Sequence, residues 1–231
     1  YGKMGRAIEA IAVKRGHTIT LTIDINNLDD FTPENLSKAD VAIEFTSPHT
    51  AFDNVVKCIE AGISLVCGST GWLSHWDEVV KFVHLKEGAM VYSSNYSVGV
   101  NIFFELNKKL AALMNTHDEY NITMHEIHHT QKKDAPSGTA VTLAEQVLEH
   151  LRRKKGWVNE LTTDPDQLQI TSERIDPAPG THMVKYESSI DSIEIIHTAN
   201  NREGFATGAV LAAEYIKDKK GIFSMQEVLG L

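Results

Sequence analysis

Val41-Ala42-Ile43-Glu44-Phe45, the stretch from Ala51 to Ala61 and then Ser64-Leu65-Val66-Cys67 decide the fold between them. The outer runs are short and β-rich while the middle one is amphipathic, so the segment reads as strand, helix, strand. That is the rhythm of a parallel sheet covered by helices. It extends in both directions. Upstream, Gly5 to Lys14 reads as a helix with Ile8, Ile11 and Ala12 inward, followed by a strand Thr18-Ile19-Thr20-Leu21-Thr22-Ile23 that ends at Asp24. Downstream, Gly68-Ser69-Thr70-Gly71 breaks the pattern before a helix from Leu73 to Val83, a strand from Ala89 to Tyr92 and the turn Ser93 to Ser97.

Beyond Val98 the rhythm changes to a helix from Asn101 to Asn115, a strand from Tyr120 to Ile127, a polar loop and a helix from Thr139 to Leu151. The pair His182 to Glu187 and Ser192 to Thr198 resembles a hairpin and calls for an antiparallel or mixed sheet. The expectation is an α/β protein with a parallel-sheet domain over residues 1–97 and a smaller α+β domain with a mixed sheet over 98–202. Residues 203–231, read as helical over Phe205 to Ile216 and Ile222 to Leu229, complete the first domain.

With 231 residues and 42% hydrophobic content, the chain can bury one large core or two modest ones. Apolar runs such as Ala89 to Tyr92 are too short to cross a bilayer, and no secretory pattern opens the sequence, so a cytoplasmic location is expected. A net charge of −9 disfavours nucleic-acid and membrane surfaces as partners. The basic run Arg152-Arg153-Lys154-Lys155 closes a helix, where cations are favoured, and reads as a solvated helix end. Cys58 and Cys67 are expected reduced and packed in the core.

Tyr1-Gly2-Lys3-Met4-Gly5-Arg6 opens straight into a helix, and one more glycine before Tyr1 would complete G-x-G-x-x-G. The residues given therefore start inside a phosphate loop, and the domain is expected without its N-terminal strand and first loop glycine, which would weaken cofactor binding. Glycines in such a loop let backbone approach a pyrophosphate at a helix N-terminus. Gly2, Lys3, Met4 and Gly5 are the candidates. Asp24, about 20 residues on, is the candidate for the adenosine ribose hydroxyls. Ile25-Asn26-Asn27 offers no arginine for a 2′-phosphate, which favours NADH over NADPH.

His125-Glu126-Ile127-His128-His129 matches H-E-x-x-H, the zinc pattern of metallopeptidases. That pattern needs a helix; on a strand the two histidines lie roughly 13 Å apart at about 3.3 Å per residue. The β-like Tyr120 to Met124 before it, and Pro136 and Gly138 after it, favour a strand running into a loop, with no metal. The loop then delivers His128, His129, Lys132 and Lys133 beside the helix start Ser137-Gly138-Thr139. Ser137 is the expected N-cap, and N–H groups at Gly138 and Thr139 would bind a carboxylate. This is a pocket for a small anionic substrate.

Glu126-Ile127-His128-His129, Lys132 and Asp134-Ala135-Pro136-Ser137-Gly138-Thr139-Ala140 together resemble the signature of the 4-hydroxy-tetrahydrodipicolinate reductases, the dihydrodipicolinate reductases of lysine and diaminopimelate biosynthesis. The resemblance continues through Gly2 to Arg6, Asp40 to Thr46, Gly68 to Trp72, Asn95 to Asn101 and Asn201 to Phe205, and so spans the whole chain. It implies a Rossmann-like domain and a substrate domain whose sheets assemble a homotetramer. Gly68, Ser69 and Thr70 would hold the nicotinamide end of NADH or NADPH, and Ser94, Asn95 and Tyr96 would border the ring. His128 would be the general acid or base, Lys132 the proton donor, and His129, Gly138 and Thr139 the grip on the carboxylates of a small dicarboxylate, with Lys133 a weaker candidate. The implied reaction is hydride delivery to C4 of the dihydropyridine formed as 4-hydroxy-tetrahydrodipicolinate loses water, followed by protonation. A hinge is expected near Ser97-Val98-Gly99 and Arg202-Glu203-Gly204.

Two other classes compete with the reductase. A zinc metallohydrolase would use His125, Glu126 and His129 on a helix. A non-catalytic dinucleotide-binding regulator on the same fold would be expected to lose His128 or Lys132, and both are present.

Overall fold

Strands β1 (Val41–Glu44), β2 (Ser64–Cys67) and β3 (Ala89–Tyr92) lie side by side in parallel in the computed structural model, Val41 opposite Ser64 and Leu65 opposite Met90. The model describes residues 1–201 and 203–231, so Arg202 of the expected hinge lies outside the described residues. Two units divide the chain, one of Tyr1–Val98 with Glu203–Leu231 and one of Gly99–Arg202.

In the first unit the strands read as continuous apolar runs because helices cover both sheet faces. Helix α1 (Lys3–Lys14) buries Ile8 and Ala12 with Val66 and Val91 on one face. The short α2 (Pro33–Leu36), α3 (Ala51–Glu60) and α4 (Trp76–Leu85) pack Leu36, Val55, Ile59, Val79 and Val83 with Leu65 and Met90 on the other. Cys58 and Cys67 are buried and free. The expected strand Thr18 to Ile23 does not form: these residues belong to no ladder, and the sheet begins at β1. An extended run becomes a strand only beside a partner, and none flanks it among the described residues. Asp24 accordingly sits in a turn, its carboxylate accepting from Asn26 N at 2.8 Å.

The second unit opens with α5 (Val98–Met114) and β4 (Asn121–His128), then α6 (Gly138–His150), β5 (Gly156–Val158), β6 (Gln167–Arg174), β7 (Thr181–Glu187) and β8 (Ser192–Thr198). Its five-stranded sheet runs β5-β6-β4-β7-β8. The two pairings on the β6 side are parallel, while β4–β7 and β7–β8 are antiparallel, so the sheet is mixed. Ile122, Met124, Leu168, Ile170, Val184 and Tyr186 face α5 and α6, where Phe103, Phe104, Leu143 and Val147 close the core. The basic run is not simply solvated: Arg153 donates to the carbonyls of Met114 and Tyr120, both at 3.0 Å, and Lys154 is buried with Nζ 2.9 Å from Gln167 O. Met114 O is a carbonyl left open where α5 ends, while Tyr120 O and Gln167 O lie at the entries to β4 and β6.

The chain returns to the first unit with α7 (Glu203–Ile216), whose Ala206, Ala209, Val210 and Ala212 join the α1 face. The expected helix over Ile222 to Leu229 is instead a strand, β9 (Gly221–Phe223), parallel to β3, followed by α8 (Met225–Leu229). Ser224 and Glu227 form a reciprocal capping box that starts α8, which is why strand gives way to helix at that residue.

Candidate functional site

The histidine-rich segment is a strand followed by a loop and a helix start, as the spacing required. Along β4, Ile122, Met124, Glu126 and His128 point to one buried face, and Thr123, His125 and Ile127 to the other. The helix that H-E-x-x-H demands is absent from this segment. His125 turns away from Glu126 and pairs with Thr171 Oγ1 at 2.8 Å.

Glu126 is the centre of the cluster. It is fully buried on the middle strand of the sheet, with Ser172 opposite on β6 and His182 opposite on β7. Both its oxygens accept from the main-chain N–H of Ser137 at 3.1 Å, and Oε1 also accepts from Ser172 Oγ at 2.8 Å and Arg174 Nη2 at 3.2 Å. The other oxygen faces His128 Nδ1 at 3.5 Å and His182 Nε2 at 3.6 Å. Burial opposes ionisation, but the neighbouring His182 ring and hydrogen bonds from Ser137 and Ser172 outweigh it and hold the carboxyl well below the usual carboxylate range.

Glu126, His128 and His182 present possible metal-ligand atoms within 4.8 Å of one another. Oε1 is already committed to Ser137, Ser172 and the guanidinium of Arg174, so the group reads as a hydrogen-bonded, charge-balanced cluster.

His128 is 7% exposed, and burial pushes its pKa down to about 4 even though Glu126 pulls the other way. It is therefore neutral near pH 7, not poised at neutrality as a free histidine would be. Its Nε2 faces Gly180, where an added Cβ would stand 3.1 Å away; with φ at +156°, that position also suits glycine best. A side chain at residue 180 would close off this nitrogen.

Lys132 Nζ is 2.9 Å from Asp134 Oδ2, an ion pair that holds the Asp134 carboxyl below its usual range. Arg174 pins the same loop by donating to Asp134 O at 2.6 Å and Lys132 O at 3.3 Å. His129 lines a cavity of about 300 Å³ with Gln131, Asp176, Pro177, Ala178, Pro179 and Asn201. Its Nδ1 is buried with no hydrogen-bond partner among the described residues. Lys133 is exposed. Gly138 and Thr139 are the first residues of α6, behind the N-cap Ser137, whose Oγ accepts from Ala140 N at 3.2 Å and lies 3.0 Å from His182 Nε2. The space beside Gly138 is open, since an added Cβ would meet nothing within 4 Å. His128, His129, Lys132, Gly138 and Thr139 thus all belong to one connection between β4 and α6. Glu126 stood in the quoted signature without a role in it, and Ser172 and Arg174 on β6 and His182 on β7 were not singled out for the site.

In the first unit, Met4, Phe45, Thr46, Ser47, Pro48, Gly68, Ser69 and Thr70 line a pocket of about 220 Å³. Gly2 caps α1 with no side chain beside it, which leaves the helix N-terminus accessible to an anion. A Cβ on Gly68 would lie 2.2 Å from Phe45 Cε1, so only glycine lets the chain pass there. Beneath the pocket, buried Glu44 accepts from Ser69 Oγ at 3.0 Å, Thr46 N at 3.0 Å and Cys67 Sγ at 3.1 Å, fixing Ser69 and Thr46 among the residues that line it. These features fit the phosphate and nicotinamide ends of a dinucleotide. Tyr96 departs from expectation: it is 1% exposed, with its hydroxyl 2.8 Å from Cys67 O and 3.0 Å from Val91 O, so it is a core residue with no side-chain surface for a ring. Asn95 is also buried, and Ser94 is exposed. Asp24, displaced from a strand end, spends its Oδ1 on its own turn.

Comparison with known proteins identifies two family models, the N-terminus of dihydrodipicolinate reductase over residues 1–96 and its C-terminus over residues 99–229. The 4-hydroxy-tetrahydrodipicolinate reductase of Christiangramia forsetii is 48% identical over 99% of this chain and 95% of its own length. That of Methanosarcina barkeri is 38% identical over 90% of this chain and 79% of its own. A solved structure of dipicolinate-bound dihydrodipicolinate reductase from Paenisporosarcina sp. TG-14 shares the fold, with a TM-score of 0.75 and 21% identity over 98% of this chain and 95% of that one.

Proposed function

The chain belongs to the dihydrodipicolinate reductase family, and we propose from that premise that it reduces 4-hydroxy-tetrahydrodipicolinate to tetrahydrodipicolinate with a nicotinamide nucleotide. The observation that carries the reading is the connection between β4 and α6, which gathers a neutral imidazole, an ammonium and a helix N-terminus. Nothing favours a zinc hydrolase, and a silent regulator would not need the intact His128 and Lys132.

When bound, the nicotinamide nucleotide supplies a hydride. Its phosphates suit the N-terminus of α1 at Gly2, Lys3, Met4 and Gly5, and its nicotinamide end suits Gly68, Ser69 and Thr70. In the second unit, Gly138 and Thr139 would hold one carboxylate of the substrate on the first turn of α6, with His129 contributing to the grip. After hydride reaches C4 of the dihydropyridine, the adjacent carbanionic carbon takes a proton. Lys132 is the donor, because a neutral His128 has no imidazolium proton to give. His128 acts instead as the acceptor that orients the ammonium or a water beside it.

NADH is the preferred donor in this proposal, since Asp24-Ile25-Asn26-Asn27 carries no cation for a 2′-phosphate. A homotetramer is supported by β8, an outer strand of the sheet that exposes Ile193 and Ile196. No helix among the described residues is long and apolar enough to cross a membrane, consistent with a cytoplasmic enzyme. The deciding experiment is oxidation of NADH and NADPH with freshly made substrate. The proposal expects turnover, competition by pyridine-2,6-dicarboxylate and a higher kcat/KM with NADH; absence of turnover by folded protein would overturn it.

A further inference from the structure

Glu126 touches neither the loop surface nor the open side of α6, yet it contacts both elements that the reaction needs. Its Oε1 and Oε2 anchor the start of α6 through Ser137 N, and Oε2 is the polar atom facing His128 Nδ1 at 3.5 Å. We infer that Glu126 is a positioning residue that fixes His128 in the Nδ1–H tautomer, leaving Nε2 as the acceptor beside Gly180, while tying that imidazole to the carboxylate-binding helix N-terminus.

The tautomer follows from electrostatics. His128 Nδ1 is buried, and no hydrogen-bond partner for it lies closer among the described residues than this carboxylate oxygen. An N–H dipole there is attracted to the anion, whereas a lone pair would be repelled in a site without water to screen it. The opposite nitrogen, beside the glycine that leaves room for it, is then the acceptor.

The anchoring follows from the sheet register. Ser172, Glu126 and His182 stand in one row across β6, β4 and β7, so the carboxylate is held from both sides. Arg174 adds a third donor at 3.2 Å. The carboxylate then receives the N–H of a residue 11 positions on in the chain. His128 and the first turn of α6 are thereby referred to the same rigid group.

An isosteric amide separates the two duties. In Glu126→Gln the donors Ser137 N, Ser172 Oγ and Arg174 converge on Oε1, so they select the amide oxygen there and turn the NH2 toward His128. The helix anchor survives at Oε1, with Ser137 N giving up its second acceptor, but the atom facing Nδ1 becomes a donor and drives His128 to the Nε2–H tautomer.

This inference rests on the proposed reductase reading and is tested apart from it. ¹⁵N chemical shifts of histidine-labelled protein report the His128 tautomer, with His128→Gln used to assign the signal. The expected result is Nδ1–H in the parent and Nε2–H in Glu126→Gln, with kcat down about 100-fold and dipicolinate affinity within about twofold of the parent. If Glu126→Gln is too unstable to study, Glu126→Asp, which keeps the charge but shortens the reach, should keep Nδ1–H and weaken dipicolinate binding. An unchanged tautomer in Glu126→Gln, Nε2–H in the parent, or a parallel loss of kcat and affinity would overturn the inference. A parent that shows Nδ1–H and yet turns over no substrate would overturn the reductase reading alone.

Discussion

Arg174 reaches Glu126 with Nη2 at 3.2 Å and, through the same nitrogen, the main-chain carbonyl of Asp134 at 2.6 Å, so one guanidinium both neutralises a buried carboxylate and holds the loop that carries Lys132. Removing it strands a charge in the interior. Arg174→Met is expected to lower folding stability by about 3 kcal/mol, the range for breaking a buried pair from one side. Adding Glu126→Gln should restore part of that loss, because no uncompensated charge then remains. Equilibrium denaturation of the two variants checks this, and equal stability of the single and double variants would contradict it.

His128 should titrate well below the ordinary histidine value. Burial places its folded pKa at about 4, below the ordinary value of about 6.5, so the folded state favours the neutral ring. The stability this contributes is fully present above about pH 6.5 and is lost as pH falls toward 4. His197, pushed down by burial as well, acts with the same sign, so comparison with His128→Gln isolates the residue in question. The His128 ring protons should show an NMR midpoint near 4. A midpoint near 6.5 would return His128 to the role of proton donor.

Much of this arrangement could be read from the residues, and what could not has identifiable causes. Ser64 to Cys67 and Ala89 to Tyr92 are legible because strands buried on both faces carry nothing but apolar side chains and serine or tyrosine at their ends. β6 escaped because only Leu168 and Ile170 mark it as buried, while Ser172 and Arg174 on the same strand serve the polar cluster. β9 is three residues long, too short for periodicity to separate it from the helix after it; the Ser224 and Glu227 capping pair was the usable signal. Glu126 stood in the motif without a role, since Ser137, Arg174 and His182 reach it only in the fold. Its alternation with Ile122 and Met124 was the available signal for a carboxylate on the buried face of β4, where such a residue needs partners.

Lys132 offers a sharper kinetic test of the proton route. Lys132→Ala should reduce kcat by about 100-fold or more, the usual contribution of a positioned general acid. Lys132→Arg keeps the positive charge and can still pair with Asp134, but a guanidinium does not give up a proton at working pH. It should therefore bind dipicolinate much like the parent and remain slow. Recovery of the parent rate in Lys132→Arg would show that charge alone is required, and the donor would have to be sought elsewhere.

Gly68 and Gly138 should respond oppositely to the same added methyl group. At Gly68 a Cβ would fall 2.2 Å from the Phe45 ring, so Gly68→Ala must displace either the ring or the turn that lines the first-unit pocket. NADH affinity is expected to fall about tenfold or more, with partial recovery in Gly68→Ala/Phe45→Leu, where the smaller side chain relieves the clash. At Gly138 a Cβ meets nothing within 4 Å, so Gly138→Ala should leave the fold and NADH binding intact. Because that methyl would occupy the open space in front of α6, it should instead weaken dipicolinate. Fluorescence titration with NADH and dipicolinate separates the two outcomes: loss of dipicolinate affinity alone in Gly138→Ala supports the carboxylate site at the helix start, and unchanged affinity for both ligands would place that site elsewhere.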